Sequence, residues 1–135
     1  MPGQRVRRRE HRVQGLPEAI SHYTDAVSAG GLLFVSGIVS VDAAGALVGG
    51  DDVVAQTRRI FEIMGSVLAD AGCTFADVVR VTVYLTDVDD RTRINPVRQE
   101  HFGETRPAST LIEVSRLAVP GARIEIECVA ALADA

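Results

Sequence analysis

The chain has 135 residues, enough for one domain with its own core and too few for a cofactor domain beside a substrate domain. Its 47% hydrophobic and 24% charged content matches ordinary soluble proteins, and no apolar run reaches the ~18–20 residues of a membrane-spanning helix. Eighteen Asp and Glu against fourteen basic residues leave a net charge of -4, which argues against a nucleic-acid partner.

Every basic residue is arginine, and Arg5, Arg7, Arg8, Arg9 and Arg12 cluster at the amino end. The expectation is a solvated, flexible arm over residues 1–15 and one domain over 16–135. No apolar stretch follows the arm as in a secretory signal, and Cys73 and Cys128 belong to no CxxC or Cys/His pattern, so the cytoplasm and two reduced thiols are expected. His11, His22 and His101 are equally scattered and carry no metal spacing.

After the arm, His22 to Val27 alternates loosely, Gly30-Gly31 signals a hairpin, and Leu32 to Ile38 is a β-rich run. Asp51 or Asp52 can cap a helix whose Val53, Ile60, Phe61, Met64, Val67, Leu68 and Ala71 recur at three- and four-residue spacing until Gly72. From Val78 to Leu85, Val79, Val81, Val83 and Leu85 alternate against Arg80, Thr82 and Tyr84, predicting a strand. Asp87, Asp89 and Asp90 then offer capping carboxylates for a short helix, roughly Arg91 to Phe102, with Asn95-Pro96 near its first turns. Ser109 to Val114 and Arg123 to Ala131 read as two last strands around a Pro120-Gly121 loop.

The order β-β-α-β-α-β-β places two helices on one face of a sheet. On the final strand Ile124, Ile126, Cys128 and Ala130 alternate with Glu125, Glu127 and Val129, so the other face is too mixed for a core and too apolar for open water. A homo-oligomer with clefts between subunits is expected.

Seven segments in this order resemble the reactive intermediate deaminases (Rid proteins, the YjgF or UK114 family), from about Leu16 to Leu132. They are Ser21-His22-Tyr23, Phe34-Val35-Ser36-Gly37, Gln56 to Phe61, Val81 to Asp87, Ile94-Asn95 with His101-Phe102, Arg106 to Val114, and Ile124 to Ala130. The resemblance implies an α/β (α+β) chorismate-mutase-like single domain, with a mixed sheet, two helices on one face and a homotrimer around a β-barrel. It also implies hydrolysis of small reactive enamines or imines with release of ammonia, without metal or organic cofactor.

By the same resemblance Glu125 is the cleft glutamate that orients water and shuttles protons, and Tyr23 contacts the substrate. Ser36 and Gly37 line the cleft, and Asn95 stands at its edge. Each has a plainer reading: Glu125 as a cross-strand partner of an arginine such as Arg80, Tyr23 as an interface residue, Ser36 as a strand-end serine, and Asn95 as a helix-start residue. At Ser109 the chain departs from the pattern, since an arginine that grips the substrate carboxylate is expected there. A serine supplies neither its charge nor its fork of donors, which removes about two to three decades of catalytic efficiency. Arg106, Arg116 and Arg123 are weak substitutes.

Three functions follow. One is an imine or enamine hydrolase with altered substrate preference. Another is a non-catalytic trimeric metabolite-binding or pathway-accessory protein. The third, a ribonuclease, is disfavoured by the acidic balance and the lack of a basic, aromatic platform. The expected partners are a small-molecule substrate or ligand and further copies of the chain in a homotrimer, with no membrane and with nucleic acid disfavoured.

Overall fold

The computed structural model describes residues 3, 5 and 7–133. Strands β1 (Arg9–His11), β2 (Ala26–Ala29) and β3 (Leu32–Ile38) precede helix α1 (Val53–Asp70). Strand β4 (Val78–Leu85), helix α2 (Arg91–Phe102) and strands β5 (Ala108–Glu113) and β6 (Ile124–Ala131) follow. The six strands form one sheet in the order β1-β2-β3-β6-β4-β5. Only the β4–β5 pair is parallel, because α2 carries the chain back across the sheet between them. The fold is a mixed α+β single domain.

Gly30 and Gly31 have φ of 60° and 78°, the pair of left-handed conformations that a tight β2–β3 hairpin demands. Helix α1 starts where Asp52 accepts from the N–H groups of Val54 and Ala55, and it buries Ile60, Phe61, Met64, Val67 and Leu68. These join Ile94, Val97 and Phe102 of α2 and the inward residues Leu33, Val35, Val81, Val83, Ile124, Ile126 and Cys128 in one core. Both helices therefore cover one face. The open face carries Phe34 and Val79, 47% and 46% exposed, among polar neighbours. Cys73 and Cys128 are buried free thiols, and burial, reinforced by Cys73 and Glu127, pushes the Cys128 thiol up to about 12. No described helix is long and apolar enough to cross a membrane.

Two expectations, at Val79 and Asp90, need correction. Residues 1, 2, 4 and 6 of the expected arm lie outside the described residues, and strand pairing is present from Arg9. Arg9–His11 pairs with β2, Val13 is buried, and Asp25 accepts from both the Val13 N–H and the Arg12 guanidinium. The apolar alternation of β4 breaks at Val79, where a bulge between Val78 and Arg80 turns Val79 out and keeps Val78 in the core. Asp90 makes no side-chain cap; buried beneath the start of α2, it accepts from Arg93 and Arg123 at 3.3 and 3.2 Å.

Gln56, fully buried on α1, fixes the loop that leads into β6. Its Nε2 donates to the carbonyls of Gly50 and Gly121 at 2.7 and 3.1 Å, and its Oε1 accepts from the Arg123 N–H at 2.9 Å. Gln56→Ala strips partners from all three backbone groups and is expected to lower stability by about 2–4 kcal/mol, read by urea denaturation.

Candidate functional site

β3 runs in register with β6 as far as Val35 opposite Cys128, and pairing resumes at Ile38 opposite Ile126. Ser36 and Gly37 thus face the single residue Glu127, which makes a β-bulge that bends the strand and interrupts its ladder. The Ser36 hydroxyl donates to the Thr24 carbonyl at 2.5 Å, and its N–H donates to the Asp25 carbonyl at 3.0 Å, which holds the segment after Tyr23 against the bulge. Gly37 lies directly beneath Glu125. A Cβ there would sit 3.0 Å from the Glu125 Cδ and closer still to Oε2, so the carboxyl occupies space that only glycine leaves free.

Tyr23, Ser36, Gly37 and Glu125 line one cleft of about 420 Å³, closed by Ile20 on one side and by Ala118 and Val119 on the other. A neighbouring hollow of about 460 Å³ shares Tyr23, Ser36 and Gly37 but is floored by Leu16, Ile63 and Val67. Its Asp25 is already taken by Arg12 at 2.6 Å, so the reactive groups belong to the smaller cleft.

Glu125 stands opposite Tyr84 on β4, not Arg80, whose guanidinium instead donates to Thr110 Oγ1 at 2.8 Å. Among the described residues Glu125 enters no ion pair. The geometry therefore does not support the cross-strand arginine reading. Burial pushes the Glu125 carboxyl above its ordinary range, and Glu127, two residues on along the same face, pushes it further in the same direction. Such a carboxyl holds its proton in less acid solution than a free one and can give it up at a modest driving force.

Glu127 is in turn fixed by Tyr84, whose hydroxyl donates to Oε1 at 2.7 Å. Glu127 is a cleft-lining residue that the sequence reading did not assign to the site, although its two-residue spacing from Glu125 already placed it on the same face. Glu127→Gln keeps an acceptor for Tyr84 and removes the like charge, so the Glu125 titration is expected to move to lower pH. Carboxyl-carbon NMR titration measures it, and an unmoved titration would show that burial alone sets Glu125.

Asn95 and Ser109 stand apart from this cleft. Ser109 is exposed on the edge strand β5, in register with Val81 and hence on the helix-covered side, and its Oγ accepts from Arg98 Nη2 at 2.9 Å. Asn95 is exposed within α2, whose N-cap is Asp90, so it is not the helix-start residue that its place before Pro96 implied. Pro96 lies inside the helix. Of the weak substitutes, Arg123 is tied to Asp90 and Asp51, while Arg106 and Arg116 are exposed. Among the described residues no group of three or more His, Cys, Asp or Glu is placed to hold a metal ion.

The endoribonuclease L-PSP family matches residues 14–132. The chain belongs to this family. A RutC family protein of Pyrococcus abyssi is 41% identical over 115 residues, which cover 84% of this chain and 89% of that protein. The human 2-iminobutanoate/2-iminopropanoate deaminase is 36% identical over 115 residues, 84% of this chain and 82% of its own. A solved structure from Yersinia pestis, a protein of unknown function of the conserved Rid protein family, superposes with a TM-score of 0.87 at 30% identity, covering 93% of this chain and all of that one. The L-PSP match bears out the resemblance read from the seven segments. It begins after β1, so the pairing of Arg9–His11 with β2 lies ahead of the residues that define the family here.

Proposed function

We propose that the protein hydrolyses a small imine or enamine to the carbonyl compound and ammonia, with Glu125 as the catalytic acid–base residue. The observation that carries this reading is the Glu125 carboxyl, raised by burial, free of a counter-cation among the described residues and seated over Gly37 in a cleft shared with Tyr23 and Ser36.

The reaction needs water at the C=N carbon and a proton at nitrogen. An enamine first takes a proton on carbon and gives one up from nitrogen to become the imine. As water adds, Glu125 receives one of its protons and returns it to nitrogen. The C–N bond of the resulting carbinolamine then breaks as the hydroxyl proton passes to the leaving nitrogen, leaving C=O and NH₃. Ser36, with its proton committed to the Thr24 carbonyl, presents lone pairs to the cleft, and Tyr23 at the mouth contacts the substrate. A human relative is named a 2-iminobutanoate/2-iminopropanoate deaminase, which supports the same chemistry here.

Serine at position 109 removes from that position the arginine expected to grip a substrate carboxylate. The same feature favours the alternative of a non-catalytic metabolite-binding protein. A ribonuclease role, despite the family's name, is opposed by a cleft whose two ionisable acids, Glu125 and Glu127, repel phosphate. Ammonia release from imines formed in situ, one panel bearing an α-carboxylate and one neutral, tests the proposal. Release by the wild type that disappears in Glu125→Gln is expected. Ligand binding with no release from either panel would turn the reading to the accessory protein.

We further propose that three copies assemble through the open face of the sheet, in line with its exposed Phe34 and Val79. Phe34→Glu places a charge on that face and is expected to yield monomers in light scattering after gel filtration. Survival of the oligomer would put the interface elsewhere.

A further inference from the structure

Arg98 is a half-buried guanidinium to which the described residues supply no anion. Arg12, Arg58, Arg59, Arg91, Arg93 and Arg123 each face a carboxylate within 4 Å, whereas among the described residues Arg98 has none and donates only to the neutral Ser109 oxygen. Arginine stays charged under any ordinary condition, so α2 holds a positive charge partly out of water with no carboxylate among the described residues to neutralise it. That burial lowers the Arg98 pKa, as expected of a cation without a counter-ion.

Two groups beside it can donate. Ser109 accepts from Arg98, which leaves its own O–H free to donate outward. Asn95, three residues before Arg98 on α2, projects from the same side of the helix and is exposed. A planar carboxylate is the anion that a guanidinium fork, a hydroxyl and an amide can grip together.

This corner cannot serve the Glu125 cleft of its own subunit. Ser109 is level with Val81 and, through Val81, with Cys128 of β6. Glu125 is three residues further along β6 and points to the opposite face. Two strand spacings and three residues of rise separate them by about 14 Å, whereas the carboxylate and imine carbons of an α-imino acid are bonded neighbours. β5 is the edge strand of the sheet, so its outer side is open to another copy. Charge complementarity favours such an approach, because the cleft wall holds two glutamates and the corner an unpaired cation.

We propose that Arg98, steered by Ser109, is the anchor for the substrate's carboxylate and reaches the Glu125 cleft of a second copy of the chain. This inference rests on the hydrolase reading for its substrate, an α-carboxylated imine. The cation expected at position 109 is in this chain displaced onto the facing helix.

Calorimetric binding of 2-oxobutanoate and of the neutral ketone butanone tests the anchor without requiring turnover. Arg98→Gln is expected to weaken 2-oxobutanoate by about 10–100-fold and leave butanone unchanged, with Arg98→Lys recovering part of the loss. Equal affinity in wild type and Arg98→Gln, or no 2-oxobutanoate binding by the wild type, overturns the anchor even if ammonia is released. Arg98-dependent binding without ammonia release upholds the anchor and defeats the hydrolase reading instead.

Contribution from a second copy is read by co-expressing Glu125→Gln with Arg98→Gln. In mixed trimers one site in three regains both groups, so about a quarter of wild-type ammonia release returns. Release no higher than that of the separate variants overturns the assignment to a second copy.

Discussion

Glu125→Gln is expected to lower ammonia release by about two to four orders of magnitude, the contribution of a positioned acid–base group. Gln keeps the volume and one acceptor, so the cleft keeps its shape and only the proton relay is lost. Binding of 2-oxobutanoate then survives while kcat falls, a split that a collapsed site does not produce. The same substitution has a stability signature of known sign. The folded-state pKa of Glu125 is raised, so the folded protein holds the proton at a pH where the unfolded chain has already lost it. Stability is therefore full below the unfolded pKa and declines as pH rises through the folded one. Glu125→Gln removes that decline and is expected to be more stable at neutral pH, by no more than about 1 kcal/mol because a half-exposed carboxyl is screened by solvent. Below the unfolded pKa the two proteins converge. Denaturant melts at several pH values check both limbs; a variant less stable at neutral pH would show that the Glu125 carboxylate serves the fold.

A gain in stability together with a loss of activity is what a strained functional group produces. The sequence showed where to look for it. Strict alternation along Ile124 to Ala131 put Glu125 and Glu127 on the face without helices, because a strand's period of two leaves no other arrangement once Ile124, Ile126 and Cys128 are buried. The α1 cap at Asp52 and the Gly30-Gly31 hairpin were legible for the same reason, since each depends on chemistry within a few residues. What escaped reading depends on contacts distant in sequence. The bulges at Ser36-Gly37 and Val79 are defined by register against β6, and β1 exists because Asp25 reaches back to Arg12 and Val13. The burial of Asp90 is settled by Arg123, thirty-three residues later. Tyr23, Ser36 and Glu125 come from three separate stretches, and only the folded sheet brings them to one cleft. Asn95 and Ser109 share no cleft with them, and Arg98, which organises that second group, stood in the sequence as one more helix-surface arginine.

Gly37→Ala is expected to reduce ammonia release by about 10²-fold while changing stability little. Gly37 has no left-handed backbone to protect, so alanine adds no torsional strain, and the demand for glycine here is one of space. The added methyl meets the end of the Glu125 side chain, which can swing away at small cost. That freedom limits the structural penalty and makes the functional one severe, because a displacement near 1 Å of a catalytic group costs about 10²-fold. Moved outward, the carboxyl is also better hydrated, so its titration shifts towards the ordinary glutamate range. The pH dependence of the residual activity should therefore move to lower pH together with the fall in rate. A Gly37→Ala protein that keeps both its rate and its pH profile would place the reacting atoms away from the bulge, and with them the role assigned to Glu125.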